Sequence, residues 1–482
     1  MINNMIPSPK GQWGSGELKA FSPVIFAKDF SAQAQTFAIQ AKKSLELDFL
    51  LSENDADITV EYAAHMTEGE YRLAIADKVT LLAGDAYGAA YGFSAMLQLA
   101  SVFEGKFMLP QITVTDKPDC DYRGLLVDTA RSFHPLCELK NYVDLCWIYK
   151  IKYLHIHFSD DLSFTLPCKA FPLLSQQGSS YTPEEIAELD SYAAARNVQI
   201  VPEVDTPGHT TLIMKCYPEI FDKEGILGFH AEAIEGTKAI YREICEMFPH
   251  SDYIHIGGDE GRLGWWLGCE KCLEYGRSLG FNMEDEAPGI SQGEWIMLRF
   301  LAHYIAENAK QVIEMGKTPI VWEGFHKTTN FMIPKEVKVM VWDSSFQLAS
   351  ALIADGFEVI NCSWLPTYVV TPLWVYSEKD CYNWDIRSFG TINDASPYHN
   401  GAMRMPESKN LIGGQLNSWG DFVENTDYYA NGALGRADGL KSVAERLPFI
   451  AENTWNVEKR KNYEDVKAAA DHARQLFSKI IK

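Results

Sequence analysis

From residue 122 onward the sequence alternates short apolar runs with longer stretches of helical periodicity. The runs are Gly124–Asp128, Tyr153–Phe158, Gln199–Val204, Tyr253–Ile256, Pro319–Trp322, Val337–Trp342, Phe357–Asn361 and Ile412–Leu416. Strands buried on both faces read as continuous apolar runs, and strand–helix alternation builds parallel βα units. Helical patterns fall between them, clearest at Leu139–Ile151, Pro183–Arg196, Ala231–Met247, Trp295–Lys310 and Phe346–Ala354. Eight such strands are what a closed (β/α)8 barrel requires, so the expected fold class is α/β, a TIM barrel.

The chain has 482 residues, and one barrel with insertions absorbs roughly 250 to 400 of them. The remainder lies at the N-terminus and has a different texture. Ile58–Tyr62, Tyr71–Ile75 and Val79–Ala83 read as strands, and Tyr87–Phe103 carries apolar residues at helical spacing up to Glu104-Gly105. After Ile112-Thr113-Val114, the segment Asp116-Lys117-Pro118-Asp119 looks like a boundary. The expected organisation is a small α+β domain over 1–118 and the barrel over 119–482, finished by closing helices around Leu447, Ile450 and Trp455.

Nearly every strand candidate runs into polar or aromatic residues at its C-terminal end. These are Asp128 and Arg131; Asp160 and Asp161; Glu203, Asp205 and His209; Asp259 and Glu260; Trp322 and Glu323; Trp342 and Asp343; Asn361; Trp419 and Asp421. A barrel gathers those ends on one face, where barrel enzymes place their chemistry. Taken singly, Asp128, Glu203 and Asp205 read as satisfied strand-end carboxylates. Taken together, the set reads as one pocket.

Bulk composition narrows what such a pocket would take. A net charge of −22 repels phosphate backbones and anionic lipid surfaces, so neither nucleic acid nor a membrane is an expected partner, and a neutral small molecule or oligosaccharide is. Aromatic residues make up 12% of the chain, with 12 Trp and 22 Tyr. Their flat faces suit stacking on a sugar ring, although core packing absorbs many of them. The N-terminal ten residues have no basic segment followed by an apolar one, which reads as cytoplasmic, or as secreted if a leader had been trimmed. No run approaches the roughly 20 apolar residues of a membrane span. The ten cysteines are scattered, as in a reducing compartment. Only Cys269-x-x-Cys272 has motif spacing; the spacing is that of half a zinc site, but no second half with suitable spacing follows, so it reads as structural or incidental cysteines.

The stretch Tyr253-Ile-His-Ile-Gly-Gly-Asp-Glu260 ends a buried strand in two glycines and two adjacent carboxylates. A carboxylate-rich and Trp-rich mouth with no evident metal cage suits glycoside hydrolysis, which needs a carboxylic acid and an anion. If the chain is extended there, neighbouring side chains point apart, so Asp259 and Glu260 do not make an ordinary acid and nucleophile pair.

This stretch closely resembles the strand-four motif of the family 20 glycoside hydrolases, the β-N-acetylhexosaminidases. Five further segments agree in order and spacing: Arg123 to Arg131, Leu154-His-Ile-His-Phe-Ser-Asp-Asp161, Val201-Pro-Glu-Val-Asp-Thr-Pro-Gly-His209, Val321-Trp-Glu323 and Ser418-Trp-Gly-Asp421. The N-terminal part is similar to that family's small α+β domain. The resemblance implies a cofactor-free, retaining exo-acting mechanism in which the sugar's own 2-acetamido oxygen attacks the anomeric carbon. Glu260 is then the general acid and base, and Asp259 orients the acetamido group. Asp160 and His209 form a relay to Glu260, and Arg131 and Asp421 bind hydroxyls. Trp322, Trp342, Tyr368 and Trp419 wall the sugar and acetamido pocket.

One segment departs from the family. The usual Tyr-Leu-Asp after strand seven is here Tyr368-Val369-Val370, so the Asp is missing and the choice between gluco- and galacto-configured sugars is open. The loop from Thr371 through Trp374, Tyr376 and Trp384 is expected to complete the site instead. Two other readings stand beside this one. His155-x-His157 puts two imidazoles on one strand face, as a metal-dependent barrel hydrolase would need, with His209, His255 and Asp259 nearby. A catalytically inactive carbohydrate-binding protein is the second, although such a protein has no use for the acid.

Overall fold

The structure is a computed structural model and describes residues 4–481 apart from 177, 371–373, 392, 395, 397–398, 400–401, 422–431 and 459–460. Thr371 therefore lies outside the described residues.

The N-terminal sheet runs in the order Gly11–Phe21, Lys106–Asp116, Tyr71–Ile75, Val79–Ala83, Ile58–Tyr62, Val24–Ala27, Leu50–Ser52. Tyr71–Ile75 and Val79–Ala83 bury every second residue, as strands do when one face is covered and the other open. The helix Ala86–Leu99 supplies that cover, capped by Asp85, whose side chain accepts from Gly88 N–H. The helix expected to reach Phe103 stops at Leu99. Ser101–Phe103 turns back through Glu104-Gly105, both at positive φ, and pairs with Lys106–Asp116. Val102 and Phe103 are exposed there, so their apolar character marks an edge strand and not a helix face.

Barrel strands are β1 (Tyr122–Asp128), β2 (Tyr153–His157), β3 (Gln199–Thr206), β4 (Tyr253–Gly257), β5 (Thr318–Trp322), β6 (Lys338–Val341), β7 (Glu358–Asn361) and β8 (Leu411–Ser418). All eight pair in parallel with their neighbours; β8 pairs with β7 and with β1, which closes the cylinder. The protein thus has a (β/α)8 TIM barrel preceded by a small domain. Both faces of these strands are buried, one against the helices and one against the barrel interior, so each reads as a largely apolar run, broken only where polar side chains enter the interior.

The interior is layered. At the N-terminal end Tyr122 stacks on Tyr153 at 4.6 Å, and Tyr253 meets that ring edge-on at 5.2 Å. Above them lies a polar layer of His155, Glu203, His255 and Gln415, all buried. Gly124 makes room for it: a Cβ there would stand 2.5 Å from Gln415 Oε1.

A buried cluster joins the two parts. Lys150 Nζ lies 3.4 Å from Asp116 Oδ2, donates to Tyr71 Oη at 2.9 Å and sits 4.6 Å from the Trp455 ring centre. Trp455 Nε1 and Tyr71 Oη also donate to Asp116, at 2.9 and 3.1 Å. The N-terminal sheet, the barrel and the C-terminal helix Gly432–Trp455 therefore share one buried ion pair. Lys150→Met should destabilise the protein by about 3 kcal/mol, the low end for breaking a buried pair because Trp455 and Tyr71 still serve Asp116. The double change Lys150→Met/Asp116→Asn should restore most of that loss. Urea denaturation midpoints of the two variants test this.

Candidate active site

The turn after β4 sets the site. Gly257 and Gly258 have φ of +75° and +115°, and Glu260 has φ +46°, so the chain turns sharply and is not extended as supposed. Gly257 is required on two counts: its φ is left-handed, and a Cβ would lie 1.7 Å from Asp205 Oδ1. The two carboxylates still diverge. Asp259 turns inward, and its Oδ1 is buried with no hydrogen-bond partner among the described residues. The Glu260 side chain is 53% exposed and receives His209 Nε2 at 3.0 Å.

Behind Glu260 runs a line of alternating acids and imidazoles. His209 Nδ1 lies 3.5 Å from Asp160 Oδ2, and the same oxygen receives His157 Nε2 at 3.0 Å and Arg131 Nη2 at 2.7 Å. His157 Nδ1 in turn lies 2.7 Å from Glu203 Oε2. Glu203 also accepts Trp322 Nε1 at 2.6 Å, with His155 Nε2 and His255 Nδ1 at 3.0 and 3.2 Å. Hydrogen bonds therefore run from Trp322 through Glu203 and His157 to Asp160, and a 3.5 Å ion-pair contact joins Asp160 to His209, which reaches Glu260.

Protonation follows from these contacts. Burial pulls His157 down, but Glu203 and Asp160 outweigh it and hold the imidazolium. Burial likewise opposes the charge on His209, and its bonds to Asp160 and Glu260 win. Burial pulls His155 down to about 4, so it stays neutral. The hydrogen bond from His209 holds Glu260 below its usual value against partial burial. Asp259 goes the other way: burial pushes it up to about 7 against the pull of His209. Asp205, buried and facing Asp259, is raised well above the carboxylate range by the same cause.

Nine of the ten residues expected at the site line a single cavity of about 260 Å³; Asp160 stands just behind it. Arg131 reaches it from the loop after β1, held by Asp128 Oδ2 at 3.0 Å and 3.6 Å from Asp421 Oδ1. Trp322, Trp342, Tyr368 and Trp419 form its walls. Trp342 is fixed by its N–H to Glu323 O at 3.0 Å, and the Trp419 ring lies 5.8 Å from Trp322 and 6.1 Å from Tyr368. Tyr368–Val370 is a short strand parallel to β8, which turns both Tyr368 and Val370 into the cavity. Two wall residues were not foreseen, Trp364, stacked on Tyr368 at 4.9 Å, and His157. The sequence signal for Trp364 is an aromatic residue three positions past the end of β7.

Some expected contributors stand elsewhere. Trp384 packs outside the barrel wall, where a Cβ on Gly414 would come within 2.5 Å of its ring, and neither it nor Tyr376 lines the cavity. Glu323, pushed up to about 8 by burial, accepts from the N–H groups of Ser344 and Phe346 at 2.6 and 3.0 Å and so shapes the loop after β6. Three sets of side chains in the barrel have donor atoms close enough to share a cation: His155, Glu203 and His255; Asp160, Asp161 and His209; Asp205, His209 and Asp259. The inward-facing pair His155 and His157 is spent on Glu203 and Asp160. A fourth set, Asp222, Cys269 and Cys272, lies outside the cavity. Among the described residues no helix is long and apolar enough to cross a membrane.

The sequence and the fold both match known proteins. The chain is 26% identical over 438 residues to a β-hexosaminidase of Vibrio furnissii, covering 82% of this chain and 69% of that one. It is 30% identical over 283 residues to a β-hexosaminidase of Akkermansia muciniphila, covering 52% of this chain and 55% of the relative. The chain thus spans little more than half the length of that second relative. The fold superimposes on a crystal structure of a β-N-acetylhexosaminidase from Bacteroides fragilis with a TM-score of 0.80 at 19% identity, covering 99% of this chain and 96% of the other. The model of glycosyl hydrolase family 20, domain 2, matches residues 5–117, and that of the family's catalytic domain matches residues 120–456. With more than half of its length matched by the catalytic-domain model, the chain belongs to glycoside hydrolase family 20 and is a glycoside hydrolase of the β-N-acetylhexosaminidase type.

Proposed function

We propose that this hydrolase is a retaining exo-β-N-acetylhexosaminidase that releases terminal β-linked N-acetylglucosamine or N-acetylgalactosamine through an oxazolinium intermediate formed by the substrate's own acetamido group. The observation that carries this reading is Asp259 Oδ1, a buried carboxylate oxygen without a partner on the cavity floor. Such an atom is costly unless a donor reaches it, and an acetamido N–H is such a donor. Asp259 then orients the acetamido oxygen toward the anomeric carbon and offsets the charge that develops on the ring. The cavity volume suits one sugar, which supports cleavage at a chain end.

At rest the His209 hydrogen bond favours ionised Glu260, and burial, pushing Asp259 up to about 7, leaves it partly protonated near neutral pH. Substrate binding shifts both. The acetamido N–H stabilises Asp259 as an anion, and the sugar covers the half-exposed Glu260, which favours its neutral form. One proton shared by the pair thus moves to the residue that must deliver it. His209, tied back to Asp160, stays close enough to hold Glu260 in place throughout. Arg131 and Asp421 serve the hydroxyls, and Trp322, Trp342 and Trp419 pack against the acetamido methyl and the sugar face. Val370 offers the outer hydroxyls no polar atom, so Asp421 and Arg131 carry that recognition.

Glu260→Gln should lower turnover by about 10²–10⁴ on substrates with poor leaving groups, the usual worth of a general acid, and far less on nitrophenyl substrates; single-turnover rates on both classes measure it. Glucosides without the 2-acetamido group should be hydrolysed poorly, and comparable kcat/KM on the two substrate types would sink the substrate-assisted mechanism. The pH dependence follows from the shared proton. It is present below the raised Asp259 value of about 7 and lost as pH rises through it, so kcat/KM for a poor-leaving-group substrate should fall about tenfold per unit on the alkaline side.

A further inference from the structure

We infer that Cys269, Cys272, Asp222 and His230 form a binding site for one zinc ion that ties together the loops following β3 and β4. Asp222 and His230 lie in the first of these loops, downstream of His209; the cysteines lie in the second, downstream of Glu260. One donor atom each from Asp222, Cys269 and Cys272 fall within 4.8 Å of one another, within reach of a tetrahedral centre with metal–ligand distances of about 2.0–2.3 Å; His230 Nε2 stands outside that group, 3.5 Å from Asp222 Oδ1, and takes the fourth position only when its ring turns toward the metal.

The sequence shows only half of this site because the second half precedes the motif and is an Asp and a His, not another cysteine pair. The helix Glu270–Ser278 begins at Cys269, and Cys272 N–H donates to Cys269 Sγ at 3.2 Å. Burial and the facing Cys269 push Cys272 above the usual thiol range; a divalent cation between the sulfurs reverses that, since a coordinating thiol gives up its proton.

His230 is the independent pointer. Its side chain is 2% exposed, its Nε2 has no hydrogen-bond partner among the described residues, and that atom lies 3.5 Å from Asp222 Oδ1. Gly228 keeps the space open: a Cβ there would stand 2.4 Å from Asp222 Oδ2 and 2.5 Å from His230 Nε2. The other ring nitrogen accepts Ala233 N–H at 3.3 Å. Coordination through Nε2 places the ring proton on Nδ1 and gives up that long contact. Two thiolates with one imidazole and one carboxylate select zinc over magnesium or calcium. Both cysteines are free and not joined to each other.

Elemental analysis of the purified protein, kept reduced and exchanged into metal-free buffer, should find about one zinc per chain. Metal-stripped wild-type protein titrated with cobalt should develop a thiolate-to-cobalt charge-transfer band that saturates at one equivalent, and chelation should lower the thermal midpoint. Cys269→Ser/Cys272→Ser should lose the band, Asp222→Ala and His230→Ala should weaken cobalt binding at least tenfold, and Cys216→Ser should change nothing. Absence of stoichiometric metal together with no cobalt band in the wild type would overturn the site, as would a Cys269–Cys272 disulfide in the freshly isolated protein.

Discussion

The Glu203 carboxylate, fully buried at the centre of the barrel, is the contact on which the rest of the site depends. An isolated buried carboxylate is untenable, and this one survives because Trp322, His155, His157 and His255 all converge on it. Meeting that requirement has structural consequences in both directions. Downward, it fixes a polar layer inside an otherwise apolar cylinder, for which Gly124 must lack a side chain. Upward, it fixes the Trp322 ring in the cavity wall and holds His157 as an imidazolium. His157 then orients Asp160, Asp160 orients His209 and Arg131, and His209 meets Glu260. A set of loop residues is thereby referred to strand residues inside a rigid cylinder, as precise positioning demands.

The same network explains how two neighbouring acids come to behave differently. Asp259 and Glu260 share a backbone turn but not an environment. Asp259 faces inward with an unpaired oxygen, so its charged form is disfavoured; Glu260 faces an imidazolium and remains partly wet, so its charged form is favoured. On the proposed reading, a ligand with an N–H at the 2-position supplies the donor that Asp259 lacks, so that selectivity for the acetamido group and activation of Glu260 would be one event.

How much of this was legible in the sequence depended on burial. The eight barrel strands were readable because parallel strands covered on both faces must be apolar throughout and stop abruptly at polar residues. The small domain was read less fully: Gly11–Phe21, with mostly exposed residues and glycines at 11, 14 and 16, carries little apolar signal, and its partner Lys106–Asp116 was seen only in part. The helix ending at Leu99 was overrun because Val102 and Phe103 continue its spacing, while the turn at Glu104-Gly105 takes them away. At the site, the strand-end residues were found because strand ends converge. Trp364 was missed because it belongs to a loop with no such rule, and Trp384 was misplaced because a loop aromatic does not reveal which side of the wall it packs on. His155 and His157 were correctly placed on one face, but spacing alone does not distinguish a metal from a carboxylate as their partner.

The Cys269-x-x-Cys272 pair shows the same limit from the other side. Local spacing points to a metal, yet the completing ligands come from the preceding loop, 39 and 47 residues before Cys269, brought alongside only because consecutive barrel strands put consecutive loops next to each other. That adjacency also gives such a centre a reason to exist. His209 and Glu260, which meet at 3.0 Å, are carried by these same two loops, and both stand at positive φ. Their strands are rigid, but the long excursions that follow are held to each other mainly by side-chain packing and by single hydrogen bonds such as Trp266 Nε1 to Leu227 O at 2.8 Å. A zinc ion bridging Asp222 and His230 to the two cysteines would add a link whose strength does not depend on close packing, placed where slippage of one loop past the other would most directly lengthen the His209–Glu260 contact.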